Sequence, residues 1–207
     1  MRIGFIGAGH IGQALARHFI LLGHDVALSN SRGPETLRAL TEQLGPLAVP
    51  VTTEQAAEFG DVVVVTVPLG AYRTLPAATL AGKVVIDTCN YYPQRDGQIA
   101  ELDDGTTTPS ELIAAQLPGA DVVKAFNSIH FEQLAKAGRP AGDPTRRGIP
   151  IAGDNEASKL LVAQLIDQIG FDPVDAGRLA HGRQFDNGAK LYGAELTGPA
   201  LRDALAA

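Results

Sequence analysis

The chain has 207 residues, 45% hydrophobic and 19% charged, with a formal net charge of −6. That is ordinary globular composition with enough length for one buried core, and it excludes disorder and any electrostatic footprint for nucleic acid. No apolar run approaches the roughly eighteen residues of a membrane span, so no membrane partner is expected. Met1-Arg2 leads straight into a strand with no signal pattern before it, so the expected location is cytoplasmic. Cys89 is the single cysteine, which removes an intramolecular disulfide and a cysteine metal cluster. His18, His24 and His181 are too scattered to make a metal site, and none is expected.

Ile3 to Ile6 reads as a buried strand that enters Gly7-Ala8-Gly9-His10-Ile11-Gly12 and passes into an apolar-periodic helix, Gln13 to Leu22. A second strand, Asp25 to Leu28, follows Gly23. The Gly-x-Gly-x-x-Gly pattern between strand and helix is a dinucleotide fingerprint. Its first glycine permits the turn, its second lets a pyrophosphate approach, its third lets helix and strand pack, and the helix N-terminus favours the phosphates.

The second strand ends Ser29-Asn30-Ser31-Arg32, where an NAD-specific site would place a carboxylate on the ribose 2′-hydroxyl. A hydroxyl and a guanidinium there suit a 2′-phosphate instead, so the cofactor is read as NADP(H). The other reading of Arg32 is a solvated residue before the Gly33-Pro34 turn.

Pro34 to Leu44 has helical spacing, and Ala48 to Val51 reads as a short strand. Thr52 to Gln55 forms a capping box that starts a helix ending at Phe59. Asp61 to Val67 is a β-branched run of the kind covered on both faces of a parallel sheet. Pro68-Leu69-Gly70 then lies at the carboxyl end of a central strand, where open α/β sheets bind ligands. A helix is expected over Tyr72 to Leu80 and a buried strand over Lys83 to Asp87. The βα alternation predicts a right-handed, doubly wound parallel sheet.

Asp87 to Pro93 is the densest polar and aromatic cluster, opening a loop to about Thr108 long enough to suggest a functional role. Thr108-Pro109-Ser110-Glu111 supplies a second capping box for a helix to about Leu117. A strand, Asp121 to Phe126, passes into Asn127-Ser128-Ile129-His130. Lys136 to Arg147 reads as an exposed excursion and candidate lid, with solvated arginines. Gly148 to Ala152 is a strand, Asp154 an N-cap, and Glu156 to Ile169 a helix with Leu160, Leu161, Leu165 and Ile169 on its apolar face. Phe171 to Val174 makes a last strand, and Leu179 opens a helix-rich tail.

The expected fold class is therefore α/β, a Rossmann-like, doubly wound, mainly parallel sheet over residues 1–175. Residues 176–207 form a short helical C-terminal extension packed on the same domain. Gly7, Ala8, Gly9, His10, Ile11, Gly12, Asn30, Ser31, Arg32, Val67, Pro68, Leu69, Asn90 and Ala125 are the expected cofactor contacts. Asn127, Ile129 and His130 are the expected acceptor-facing residues, with Tyr91 and Tyr92 as further candidate proton donors. None has an evident partner in sequence, which shifts weight towards transfer to a flat redox ring that needs little acid–base machinery. Cys89 reads as a small apolar residue at a strand end.

Ile3 to Gly12, Ser31-Arg32, Thr66-Val67-Pro68, Lys124 to Ile129, Pro150 to Asp154 and Phe171 to Gly177 together resemble the NADPH:deazaflavin oxidoreductases, the coenzyme F420-dependent NADP reductases. The resemblance spans most of the chain. It implies that Ser31 and Arg32 hold the 2′-phosphate and that Ala125 to Ile129 lies where two rings meet. Characterised deazaflavin reductases carry a histidine at the position of Asn127, where this chain departs. The implied activity is hydride transfer between NADPH and a deazaflavin, flavin or similar small-molecule acceptor. A regulatory NADPH-binding protein without turnover, or a small imine or carbonyl reductase, is the alternative. A homodimer is a prior for small enzymes of this kind. β-Hydroxyacid dehydrogenases and pyrroline-5-carboxylate reductases share the N-terminal pattern but need a further helical domain of roughly a hundred residues, and are placed lower.

Overall fold

The structure, a computed structural model, describes all 207 residues. From the N-terminus come β1 (Arg2–Ile6), α1 (His10–Leu21), β2 (Asp25–Ser29), α2 (Arg38–Leu44), β3 (Ala48–Pro50), α3 (Thr53–Phe59) and β4 (Val62–Val65). Next are α4 (Ala77–Leu80), β5 (Val84–Asp87), α5 (Pro93–Asp96), α6 (Ala100–Asp103), α7 (Pro109–Gln116), β6 (Asp121–Lys124) and α8 (Phe131–Lys136). The chain ends with β7 (Gly148–Gly153), α9 (Glu156–Gln168), β8 (Asp172–Asp175) and α10 (Gly198–Ala206).

All eight strands form one sheet in the order β3-β2-β1-β4-β5-β6-β7-β8. The first six run parallel, β7 is antiparallel to β6, and β8 is parallel to β7. This is the mainly parallel Rossmann-like sheet expected, with strand order reversing between β1 and β4. β4 shows why its valines are uninterrupted. Val62 and Val64 enter one apolar cluster, and Val63 and Val65 enter the other, on the opposite face.

Both capping boxes form, Thr52 with Gln55 and Thr108 with Glu111. Several boundaries move. α1 starts at His10 rather than Gln13. The helix expected over Tyr72 to Leu80 is instead a 3₁₀ stretch, Leu69–Thr74, and the single turn α4. Pro76 breaks it, because proline lacks an N–H and pushes Leu75 to an extended conformation (ψ 137°). The stretch from Asp87 to Thr108 is not a continuous loop but holds α5 and α6.

Asn155, not Asp154, caps α9, its side chain accepting from the Ser158 N–H at 3.1 Å. Asp154 accepts instead from the Leu179 N–H. Leu160 is 62% exposed, and the buried stripe runs through Val162, Leu165 and Ile166. Two of the three arginines between Lys136 and Arg147 are not solvated. Arg146 pairs with Asp167 at 2.7 Å, and Arg147 donates to the Ala194 carbonyl at 3.0 Å. Such contacts explain their burial, since a buried guanidinium needs acceptors.

Beyond β8, a 3₁₀ segment (Leu179–Phe185), an irregular stretch and α10 lie over β7 and β8. Phe185, Leu191 and Leu201 pack with Ala152 and Val174 in a third cluster. No helix is long and apolar enough to cross a membrane.

Candidate functional site

The glycine turn joins β1 to α1 at the carboxyl edge of the sheet, and each glycine has its own reason. Gly7 adopts φ +108°, and a Cβ there would lie 2.2 Å from the Thr66 carbonyl oxygen. At Gly12 a Cβ would meet the Gly7 oxygen at 2.7 Å and the Thr66 methyl at 2.8 Å. A Cβ on Gly9 would touch nothing and project into open space. Gly9 is also the N-cap of α1, with no side-chain cap and no acidic residue in the first turn. The free N–H groups are left for an anion.

On one side of this turn lies a cavity of about 670 Å³, lined by Gly7, Ala8, Gly9, Asn30, Ser31 and Arg32 and continuing to Leu75. Asn30 braces the loop, accepting from the Arg32 N–H at 2.9 Å and donating to Thr36 Oγ1 at 2.9 Å. Ser29 is buried and donates to the Phe5 carbonyl, anchoring the strand end. Arg32 is exposed and its guanidinium pairs with no carboxylate. A glycine cradle, a free helix start and an uncommitted arginine fit the diphosphate and 2′-phosphate of NADP.

Thr66, Val67 and Pro68 line this cavity and also a second, of about 420 Å³, beyond them. Here His10, Ile11, Asn90, Asn127, Ile129 and His130 come together, and no carboxylate lines the wall. Leu69 and Ala125 do not join them. Both side chains are fully buried in the two large apolar clusters and line neither cavity.

Phe126, with φ +63°, is the only non-glycine residue in the left-handed region, and it lines the second cavity. This conformation turns the chain after β6 so that Asn127 faces Asn90. Asn127 Nδ2 donates to Asn90 Oδ1 at 3.2 Å and to the Phe185 carbonyl at 2.9 Å, and Asn90 Nδ2 returns a bond to the Asn127 carbonyl at 2.8 Å. Asn127 Oδ1 is buried without a partner, an acceptor left for an amide N–H. Phe131 stacks on His10 and lies tilted by 42° against His130, with ring centroids 4.4 Å apart in each pair. His130 is 60% exposed and stands 4.0 Å from Glu132, so it edges the mouth.

Cys89 lines the same cavity, and burial pushes its thiol well up, which makes it inert rather than nucleophilic. Tyr91 turns away, its hydroxyl donating to Asp103 and accepting from the Ile99 N–H. Tyr92 does face the cavity, where it meets Tyr192 of the tail. Nothing in the local pattern around Tyr192 marks it.

Beneath the crevice lies a buried polar chain. Lys124 Nζ is 2.7 Å from Asp186 Oδ1 and donates to Ser110 Oγ at 3.1 Å. Ser110 donates to Asp87 Oδ2 at 2.5 Å, and Asp87 Oδ1 accepts the Cys89 N–H at 2.8 Å. Lys124, Ser110 and Asp87 are fully buried. Burial pushes the Asp186 carboxyl up, against the pull of Lys124. The chain fixes the ends of β5 and β6 and ties the tail to them. No group of three or more His, Cys, Asp or Glu lies together to hold a metal.

Residues 2–91 match the family model described as "NADP oxidoreductase coenzyme F420-dependent". The metalloreductase STEAP3 of Rattus norvegicus is 29% identical over 187 residues, which cover 89% of this chain and 36% of the rat protein. STEAP2 of Homo sapiens is 27% identical, over 89% of this chain and 35% of that one. The chain thus spans about a third of the length of the curated relatives it matches. A hypothetical protein of Sinorhizobium meliloti superposes with a TM-score of 0.81 at 30% identity, covering 95% of both chains. A proposed F420-dependent NADP reductase from Arthrobacter sp. FB24 gives 0.74 at 26% identity, covering 88% of this chain and 87% of that one.

Proposed function

This chain belongs to the coenzyme F420-dependent NADP oxidoreductase family, and from that premise we propose that it passes hydride between NADPH and a flat redox ring, a deazaflavin, flavin or similar. The observation that carries this reading is the pair of cavities sharing Thr66, Val67 and Pro68. One has the phosphate chemistry of a dinucleotide site, and the other opens beside it with about 420 Å³ to spare.

NADPH supplies the hydride when bound. Gly7, Gly9 and the first N–H groups of α1 hold its diphosphate, and Ser31 and Arg32 its 2′-phosphate. Asn127 Oδ1 accepts from its carboxamide. Val67 and Pro68 form the apolar ledge between the two halves. Ile129, His10, Phe131 and His130 wall the acceptor side, which favours transfer by alignment. The STEAP relatives are named metalloreductases, and a ring that accepts hydride before passing electrons on suits that chemistry.

The test is anaerobic stopped-flow mixing of the NADPH-bound protein with deazaflavin, FMN or menadione, following the nicotinamide absorbance. Rapid oxidation with at least one ring is expected. Tight NADPH binding with no oxidation by any of them overturns the reading.

A further inference from the structure

In the smaller cavity the Tyr92 and Tyr192 oxygens lie 2.7 Å apart. One hydrogen bond between two hydroxyls uses one proton, and the pair carries two. Asn90 decides which is left over. Its Nδ2, already donating to the Asn127 carbonyl, points its other N–H at the Tyr192 oxygen from 3.5 Å. Either hydroxyl can donate in the pair, and an N–H aimed at the Tyr192 oxygen favours the arrangement in which Tyr192 gives its own proton to Tyr92. The Tyr92 O–H is then left with no protein acceptor and opens on the cavity.

Two neighbours prepare that group. The Arg95 guanidinium lies 4.8 Å from the Tyr92 ring centroid, held there by both Asp96 oxygens and the Asn90 carbonyl. Packed on the ring face, the guanidinium holds the phenol in place. Burial pushes the Tyr192 hydroxyl well up, so it remains a donor. Two of the other candidate donors compete poorly, because Asn127 Nδ2 is committed to two acceptors and His130 sits at the exposed rim.

We infer that Tyr92 is a catalytic residue, giving first a hydrogen bond and then its proton to the ring nitrogen or carbonyl oxygen of the acceptor. Tyr192 and Asn90 are positioning residues that aim it. This deepens the proposed hydride transfer and rests on it. The acceptor class narrows to rings whose reduction drives an electron pair onto a conjugated nitrogen or oxygen, as in flavins, deazaflavins and quinones. Hydride brings two electrons to one end of the conjugated system, and a pair is displaced onto the heteroatom at the other end. The Tyr92 O–H bond breaks and the heteroatom–H bond forms. The phenolate is held by the Tyr192 hydroxyl and Arg95 until water at the cavity mouth reprotonates it. NADPH is the only reductant required.

Tyr92→Phe and Tyr192→Phe test this with two readouts beside the NADPH Kd, which both variants keep. In single turnover with FMN or menadione, Tyr92→Phe is expected to slow NADPH oxidation on the order of 100-fold and to lose the solvent deuterium isotope effect of the wild type. Tyr192→Phe is expected to lose about tenfold and to keep the isotope effect. In the dead-end complex with NADP⁺, Tyr92→Phe should weaken the oxidised ring about fivefold, the worth of one neutral hydrogen bond. Wild-type rate and isotope effect in Tyr92→Phe overturn the assignment. If the wild type binds NADPH and oxidises it with none of deazaflavin, FMN and menadione, the transfer reading falls separately, and the dead-end complex decides Tyr92. An unchanged or undetectable ring Kd there also overturns the assignment.

Discussion

Lys124→Met removes one cation from the buried polar chain that joins β5, β6 and the tail while keeping a side chain of similar length. The wild-type lysine is fully buried, 2.7 Å from Asp186 and bonded to Ser110, which in turn holds Asp87. The variant leaves the Asp186 and Asp87 carboxylates without their buried cation, Arg183 remaining as a weaker influence on Asp186. Breaking a buried pair from one side costs about 3–5 kcal/mol, more than any apolar gain from methionine. For a chain of this size each kcal/mol moves Tm by about 2–4 °C, so thermal unfolding followed by circular dichroism should fall by roughly 6–20 °C. Lys124→Met with Asp186→Asn should recover more than half of the loss, because the stranded carboxylate is gone. The pH dependence follows from Asp186, whose folded-state titration is raised by burial. The native state then binds more protons than the unfolded one between the unfolded value of about 3.9 and the raised value, so its contribution to stability rises as pH falls through that window. Without Lys124 the window moves higher, and the penalty of the variant should shrink on acidification. A Tm within about 2 °C of wild type, or a penalty equal at acid and alkaline pH, refutes the reasoning.

Arg32→Ala should weaken NADPH by about 1–3 kcal/mol, roughly 5- to 150-fold in Kd by titration calorimetry, and leave NADH nearly unchanged. Equal loss for both cofactors removes the 2′-phosphate assignment. The effect should also fade with added salt, because Arg32 is exposed. Gly12→Ala places a methyl 2.7 Å from the Gly7 oxygen, and should abolish measurable NADPH binding while the far-UV spectrum persists; binding within tenfold of wild type contradicts the cradle geometry. Phe126→Gly relieves about 1–3 kcal/mol of left-handed strain but deletes a fully buried ring worth about 3–5. Net destabilisation in urea melts is therefore expected, and a stabilised variant would show that strain outweighs packing.

What the sequence made legible depended on the range of the interaction responsible. β4 and the glycine turn were readable because hydrophobic run, glycine spacing and neighbouring strand lie within a few residues. The capping boxes at Thr52 and Thr108 were readable for the same reason, and both form. Asn155 displaced Asp154 as cap because Asp154 is drawn to the Leu179 N–H, 25 positions away. Arg146 and Arg147 looked solvated because their acceptors, Asp167 and Ala194, belong to later elements. Tyr192 lies 100 positions from Tyr92, and only the return of the tail to the crevice brings them together. The arginine run failed as a surface signal, since arginine composition says nothing about which acceptors fold onto it.

The reversal at β7 has a further consequence. Because β7 and β8 run opposite to the first six strands, the chain leaves β8 heading away from the crevice and must turn back to reach it. It arrives with Phe185 against Asn127 and Tyr192 against Tyr92. The proposed dinucleotide contacts thus lie mainly in the early strands, and the last turns of the chain complete the wall of the proposed acceptor cavity. Ser31 and Arg32, proposed for the 2′-phosphate, and Tyr192, proposed to aim Tyr92, therefore lie on separate stretches of sequence, so either contact can be changed by mutation while the other is left intact.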